Sequence, residues 1–376
     1  MRVLHIITGL NKGGAETLLC NLCQSDKEHE HVIISLSYVK DSQSLSTMHN
    51  FSLYSLNFPK GKIRVFGLFR LYKLIKKINP DAIQTWLIHA DLIGGLAARL
   101  AGIKNIFWGV HHTILLPGKV KFSTIFVLKC NAFLSNFVPK KIIYCAEKSR
   151  LIQESIGFNK SKGLVIQNGY NIKNFSQNDI LRKDFRNELG CSDNTFLIGH
   201  VGSYHPLKDQ NNLIDALAFL NKKGFEYTAV LVGKNLDHNN DDLVYKIREN
   251  GLTDRIILLG ERNDIPAVMN GIDLFVLSSL SEAFPNVLNE AMACATPCVT
   301  TNVGDASLIV DNTGWVVSPK DPKAIANAVF KAADEKQSDN LAWIKRKNDC
   351  HQRIAHHFTL EKMLKKYKKA WTSSYD

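Results

Sequence analysis

Two carboxylates, Glu282 and Glu290, flank the sequence Phe284-Pro285-Asn286-Val287-Leu288 directly after the apolar run LFVLSS. Pro285 suits the first turn of a helix, where its missing N–H costs nothing. Glu282 then lies in the loop at the carboxyl end of a strand, and Glu290 lies inside the helix. The N–H groups around Asn286, Val287 and Leu288 form the positive end of that helix, suited to a diphosphate. Glu290 can accept hydrogen bonds from two neighbouring ribose hydroxyls, and Glu282 can meet a sugar. Spacing alone slightly favours a plainer reading, with Glu282 a first-turn acid and Glu290 a surface residue.

Three further stretches carry candidate chemistry. Gly13-Gly14-Ala15-Glu16 follows the first predicted strand and opens a helix. Two glycines let the backbone approach a ligand, and the helix start offers N–H groups to an anion. A tight turn explains them equally well, and without G-x-G-x-x-G a nicotinamide cofactor is poorly supported. In Gly202-Ser203-Tyr204-His205-Pro206-Leu207-Lys208-Asp209, Lys208 stands near a helix start, where the dipole disfavours a cation, which tilts it towards a phosphate. His111-His112-Thr113 ends the run IFWGV, and adjacent histidines on a strand point to opposite sides. No ligand set for a metal completes itself around them. Cys20 with Cys23 and Cys294 with Cys298 fit no zinc pattern and read as small buried apolar residues.

Short Val-, Ile- and Leu-rich runs alternate with helical patterns along the chain. They predict strands at 2–8, 31–37, 81–86, 105–110, 141–146 and 163–167, then at 196–202, 227–233, 255–260, 273–278 and 297–301. Helices fall near 15–25, 63–78, 90–101, 121–136, 147–155, 208–222, 241–250, 285–294 and 321–334. Mostly apolar strands separated by helices indicate parallel sheets covered on both faces. The pattern restarts near residue 195 after a polar stretch, so two doubly wound α/β domains facing across a cleft are expected. Their bounds are 1–175, completed by a basic C-terminal helix at 359–376, and 176–358.

With 45% hydrophobic and 22% charged residues in 376, the composition is that of a globular chain. No run approaches the ~20 apolar residues of a membrane-spanning helix. Eight cysteines and no export signal predict a cytoplasmic location. The net charge of +12 is uneven: residues 1–180 carry +13 and residues 181–376 carry −1. Residues 51–150 hold 16 basic and 3 acidic side chains. A cationic half suits an anionic partner such as a membrane face, or serves only solubility.

Taken in order, GGAE (13–16), HHT (111–113), GSYHPLKD (202–209) and SEAFPNVLNEAMACATPCVTT (281–301) resemble the retaining glycosyltransferases of family 4 and their E-x7-E signature. The resemblance spans essentially the whole chain and implies the GT-B fold. It also implies transfer of a sugar, with retention, from a nucleotide-sugar co-substrate, a UDP-sugar, without a metal. Glu282 and His112 (or His111 in the alternative register) would contact the donor sugar, and Glu290 would hold the ribose. The backbone at Phe284, Asn286, Val287 and Leu288 would take the diphosphate with Lys208, while Gly13 and Gly14 close over phosphate and sugar. Arg262 would lie by the base. Two positions depart from the family: Ser203 replaces a usual Arg that joins the lysine, for which His205 or Arg262 would have to substitute, and Ala295 replaces a usual Gly at a cost under ~1 kcal/mol. The resemblance further implies a lipid-linked glycan acceptor at an anionic cytoplasmic membrane face, in capsule or O-antigen synthesis, with no nucleic acid involved. The alternatives are an isomerase like the sugar-nucleotide 2-epimerases, or a sugar-nucleotide binder without catalysis.

Overall fold

The computed structural model describes residues 1–10, 13–39, 51–58, 65–111 and 122–373. The chain divides into two compact units, Met1–Gly169 with Leu360–Asp376, and Tyr170–Thr359. The boundary falls at Gly169–Tyr170 rather than at 175–176. Tyr170 donates its N–H to the Phe358 carbonyl and bridges Thr359, which ties it to the second unit.

The first unit is built on a parallel sheet of order β3-β2-β1-β4-β5-β6-β7. Its strands are β1 (Arg2–Ile7), β2 (Glu30–Ser37), β3 (Phe51–Phe58), β4 (Ala82–Trp86), β5 (Ile106–Val110), β6 (Lys141–Tyr144) and β7 (Gly163–Val165). The strands read as unbroken apolar runs because both faces are covered. Leu4, Ile6, Val32 and Ile34 share one core with α2 (Val65–Ile78), α3 (Ile88–Leu100) and α4 (Phe122–Leu134). Val3, Ile7 and Ile33, one residue out of phase, share another with α1 (Gly14–Ser25) and the C-terminal helix Leu360–Thr372. Helix α5 (Glu147–Ser155) joins β6 to β7.

The second unit repeats the plan with the order β10-β9-β8-β11-β12-β13, all parallel. Its strands are β8 (Leu197–Val201), β9 (Thr228–Val232), β10 (Ile256–Gly260), β11 (Leu274–Leu277), β12 (Cys298–Thr301) and β13 (Trp315–Val317). The helices begin with α6 (Asp179–Glu188), α7 (Gln210–Lys222), α8 (Asp241–Glu249) and α9 (Ile265–Gly271). They continue with α10 (Asn286–Ala293), α11 (Ala306–Val310), α12 (Pro322–Ser338) and α13 (Asn340–His357), and α14 (Leu360–Thr372) returns to the first unit. Strand order reverses at β1 in one sheet and at β8 in the other. In doubly wound sheets the loops leaving such a switch point diverge and open a crevice for ligands. The GGAE turn follows β1, GSYHPLKD follows β8, and the Glu282 loop follows β11, which neighbours β8.

Several elements lie where the sequence pattern is weak. β3 is an edge strand with mostly exposed or half-buried residues, and its Ser and Asn positions hide the apolar period. α6 occupies the stretch read as a polar linker: it buries only Phe185 and Arg186 and is held by charge rather than by an apolar stripe. α9, α11, α13 and β13 were also outside the predicted elements.

The hub of that charge-held region is Asp273, at the entry to β11 and nearly inaccessible. Its carboxylate accepts from Arg182 Nη2 and Lys336 Nζ, each at 2.8 Å, from the Leu197 N–H at 2.9 Å, and from Arg186 Nη1 at 3.4 Å. These donors hold its pKa below the usual carboxylate range against the penalty of burial. Arg186 also donates to the carbonyls of Gly271, Ser192 and Thr195. One carboxylate therefore joins α6, β8 and α12, and Arg186 extends the network to α9. Asp273→Asn removes the charge and leaves three cations facing it, so it is expected to cost about 3–5 kcal/mol. An unfolding free energy within about 1 kcal/mol of wild type in denaturant titration would show that the charge is not what holds these elements together.

Candidate functional site

The site assembles where β8 and β11 lie side by side. Lys208, in the loop after β8, places Nζ 2.6 Å from Oε1 of Glu282, in the loop after β11. The same oxygen accepts from Ser279 Oγ at 2.7 Å. Ser278 Oγ donates to the Lys208 carbonyl at 2.9 Å, and the Leu280 N–H donates to the Leu207 carbonyl at 2.8 Å. The two loops are thus stitched together by backbone and side chains, with the ion pair at the seam.

Behind the seam, His200 is buried within β8. Its Nδ1 lies 3.0 Å from the Val276 carbonyl, which can only accept, so Nδ1 carries the proton and Nε2 accepts from Gln210 at 3.3 Å. Burial lowers its pKa to about 4, and nearby Lys208 adds to the shift. Gln210 also donates to the Ser203 carbonyl at 3.0 Å and so fixes the loop that carries Lys208. Glycines set the backbone on both sides. Gly233, at φ +142°, packs so closely that a Cβ would sit 2.2 Å from the Gly202 carbonyl oxygen. At Gly304, φ +50°, a Cβ would meet the carbonyl oxygens of Ala283 and Glu282 at 2.2 and 2.4 Å, and the Asp305 N–H holds the Ala283 carbonyl at 2.9 Å.

Helix α10 begins at Asn286 with Pro285 at its N-cap and no side chain capping it. Phe284 is buried against Phe358, which anchors the turn. The Leu288 N–H turns back to the Pro285 carbonyl at 3.1 Å, and Asn286 and Val287 supply the other amides of that first turn. Glu290 lies one turn in, mostly buried, and desolvation alone pushes its pKa up to about 7. Ala295, just past the helix, takes φ +58°, the left-handed region a glycine would occupy at lower cost.

The other predicted residues are placed differently. Arg262 directs its guanidinium to Glu188 (2.5 and 3.0 Å) and Asp264 (2.8 and 2.5 Å) and lies over the Phe185 ring. It braces α6 and the loop before α9 instead of presenting a free cation. His205 Nδ1 accepts from the Leu207 N–H at 3.1 Å. Both are engaged within the protein, His205 through one ring nitrogen and Arg262 through two carboxylates. In the first unit, Gly13 is the extended N-cap of α1 and Gly14 its first residue. The Glu16 carboxylate folds back over this turn, 2.4 Å from where a Cβ on Gly13 would stand. An anion arriving there has to displace it. His111 stacks on Trp86, ring centroids 4.9 Å apart, and His112 lies outside the described residues. Sequence reasoning missed His200, Gln210, Ser279 and Gly304. Ser279 was visible at the end of LFVLSS, whereas the others support the site only through the fold.

The raised pKa of Glu290 has a definite sign. The folded state holds the proton more tightly than the unfolded chain, so stability falls as pH rises from about 4.5 towards 7 and stays lower above that. Glu290→Gln is expected to raise the melting temperature, with a gain that grows between pH 5 and pH 8 to the order of 2–3 kcal/mol. A pH-independent difference would mean that the carboxylate is not desolvated.

Two family models match the chain: "Glycosyltransferase Family 4" over residues 12–174 and "Glycosyl transferases group 1" over residues 195–335. The UDP-Gal:alpha-D-GlcNAc-diphosphoundecaprenol alpha-1,3-galactosyltransferase of Escherichia coli is 28% identical over 306 residues, covering 80% of this chain and 78% of that protein. The capsular polysaccharide biosynthesis glycosyltransferase CapM of Staphylococcus aureus is 26% identical over 283 residues, 72% and 71% of the two chains. Among solved structures, Anabaena Alr3699/HepE in complex with UDP superimposes with a TM-score of 0.86 at 23% identity, covering 100% of both chains. The lipopolysaccharide-biosynthesis glycosyltransferase WaaG does so with a TM-score of 0.77 at 16% identity, over 100% of both. With two parallel-sheet units of this topology and both halves matched, the chain belongs to the family 4 glycosyltransferases and has the GT-B fold.

Proposed function

We propose that this glycosyltransferase moves a sugar from UDP to a hydroxyl of a lipid-linked glycan, with retention at the anomeric carbon, in the synthesis of a bacterial surface polysaccharide. The observation that carries the reading is the Lys208–Glu282 pair in the loops leading to the first turn of α10, which has no N-cap side chain, with a desolvated Glu290 one turn further on. The relatives named for a UDP-linked donor, a diphosphoundecaprenol acceptor and capsule synthesis support the donor, the acceptor class and the setting.

In this reading the α10 amides and Lys208 meet the charge that grows on the departing diphosphate, which is electrostatic stabilisation by groups already in place. Glu290 accepts from the ribose hydroxyls, and Glu282 from a hydroxyl of the sugar. No side chain serves as a covalent nucleophile. The acceptor oxygen attacks the face that the phosphate leaves, and a phosphate oxygen takes its proton. The reading uses no metal. The lipid-linked acceptor places the enzyme at an anionic cytoplasmic membrane face.

A ligand that binds only the folded state stabilises it by RT ln(1 + [L]/Kd), about 2.7 kcal/mol at ~100-fold excess over Kd. UDP is expected to raise the melting temperature more than GDP or ADP, and Glu290→Ala to abolish the rise. A preference for GDP or ADP would change the donor class, and no response to any nucleotide would remove the catalytic reading. The ion pair adds a second test. With Glu282 neutralised, Lys208 no longer has a carboxylate competing with the diphosphate. Glu282→Gln is expected to bind UDP roughly three- to tenfold more tightly while losing sugar transfer. Weaker UDP binding would mean that Glu282 positions Lys208 instead of occupying it.

A further inference from the structure

Helix α4 (Phe122–Leu134) is apolar on two opposite sides. Its inner side buries Val127, Leu128 and Ala132, and Asn131 anchors it by donating to the Ile88 carbonyl at 2.8 Å. Its outer side exposes Phe122 at 86%, Phe126 at 62% and Phe133 at 67%. At about 100° per residue, these three and the exposed Lys129 fall within an arc of about 60°. Phe137 continues the row, 5.6 Å from Phe133 between ring centroids, and is itself 62% exposed. Neighbouring α3 adds Leu96 and Leu100, and α2 adds Phe69, with the Lys73 ammonium 4.5 Å above its ring. A surface helix normally turns a polar face to water, so one that turns a row of phenyl rings outward is built to be covered.

The charge around this face selects what covers it. Arg70, Lys73, Lys76 and Lys77 on α2 and Lys129 on α4 are exposed and form no ion pair with the described residues. From Val65 to Lys140 the acidic residues are Asp81 and Asp91. Asp91 is buried and accepts from Thr85 and Gly109, while Asp81 accepts from the Arg2 N–H. A second copy of the chain would bring the same positive rim against itself. An anionic lipid surface offers phosphates to the lysines and an acyl boundary to the rings. Among the described residues no helix is long and apolar enough to cross a membrane.

We infer that the outer face of α4, Phe122, Phe126, Phe133 and Phe137 with the lysines of α2, is an interfacial docking surface for an anionic bilayer. The inference rests on the lipid-linked-acceptor reading and deepens it, since docking here holds the first unit where such an acceptor resides.

The test is co-sedimentation of the full chain with phosphatidylcholine vesicles, with and without 30% phosphatidylglycerol. Each variant is also checked for its melting temperature and its shift with UDP. Wild type is expected to pellet with anionic vesicles and much less with neutral ones. Phe126→Ser/Phe133→Ser is expected to lower vesicle affinity at least tenfold, with melting and UDP response unchanged. Lys76→Glu/Lys77→Glu, which leaves the rings in place, is expected to abolish the preference for anionic lipid. Wild type remaining in the supernatant, or the double Phe variant pelleting like wild type, overturns the inference. A wild-type dimer that the double Phe variant converts to monomer, without vesicle binding, reassigns the face to self-association and overturns it too. Because the UDP response is read separately, the docking surface can fail while the donor site stands, and the reverse.

Discussion

The second unit is organised around an ion pair between neighbouring strand-to-helix loops, Lys208 to Glu282 at 2.6 Å. Neither residue reaches the other unless β8 and β11 are adjacent, which the β10-β9-β8-β11-β12-β13 order ensures. Nor would the pair persist if the loops could drift. Ser278 and Leu280 bind the backbone around Lys208 to the end of β11, and Gln210 joins its loop to His200 inside the sheet. Gly304 lets α11 approach the Glu282 carbonyl as no other residue would. The sheet order, the buried histidine and the glycines at positive φ serve one geometric requirement.

That requirement concentrates local disfavour in one place. α10 starts without a capping side chain, Glu290 is held desolvated, Ala295 occupies the left-handed region, and a lysine stands near the start of α7. Each departs from what stability alone selects. Departures of this kind in and after the loops that follow β8 and β11 are the pattern expected where binding a ligand supplies a missing partner. On the proposed reading a diphosphate meets the first turn of α10 and the lysine, and hydroxyls meet the glutamates. Within the second unit Glu282 already occupies Lys208.

Most of the sheets was legible because buried parallel strands and amphipathic helices write their periods plainly, as in Arg2–Ile7 or Gln210–Lys222. Glu282 and Lys208 were legible as candidates because they stand in loops at strand ends, and Glu290 because it follows Glu282 by eight residues inside the next helix. The unread parts share a physical cause: their order comes from partners distant in sequence. α6 has little apolar stripe and is fixed by Asp273, some ninety residues on. Arg262 looked available for a base until Glu188 and Asp264 were seen to share it. One sequence carries no sign of such saturation, because a guanidinium reads the same whether its partners are ligands or neighbours.

The same limit governs the buried group in the first unit, where residue type points the wrong way. His5, Cys23 and His31 present ligand atoms within 4.8 Å of one another, a grouping that suits zinc by composition. The hydrogen bonds specify otherwise. Trp86 Nε1, which can only donate, lies 3.2 Å from His5 Nδ1, so the His5 proton sits on Nε2 and is given to His31 Nδ1 at 2.9 Å. His31 then carries its proton on Nε2, 3.2 Å from Asp26. The ring nitrogens that would bind a metal already carry or accept a proton, and a metal on His5 Nε2 would leave two N–H groups facing each other at Trp86. The relay ends on Asp26, which also takes Lys368 at 2.9 Å from α14, while the Trp371 ring meets His5, His29 and His31 edge-on. These imidazoles are therefore the mortar of the C-terminal helix, joining the last turn of the chain to its first two strands.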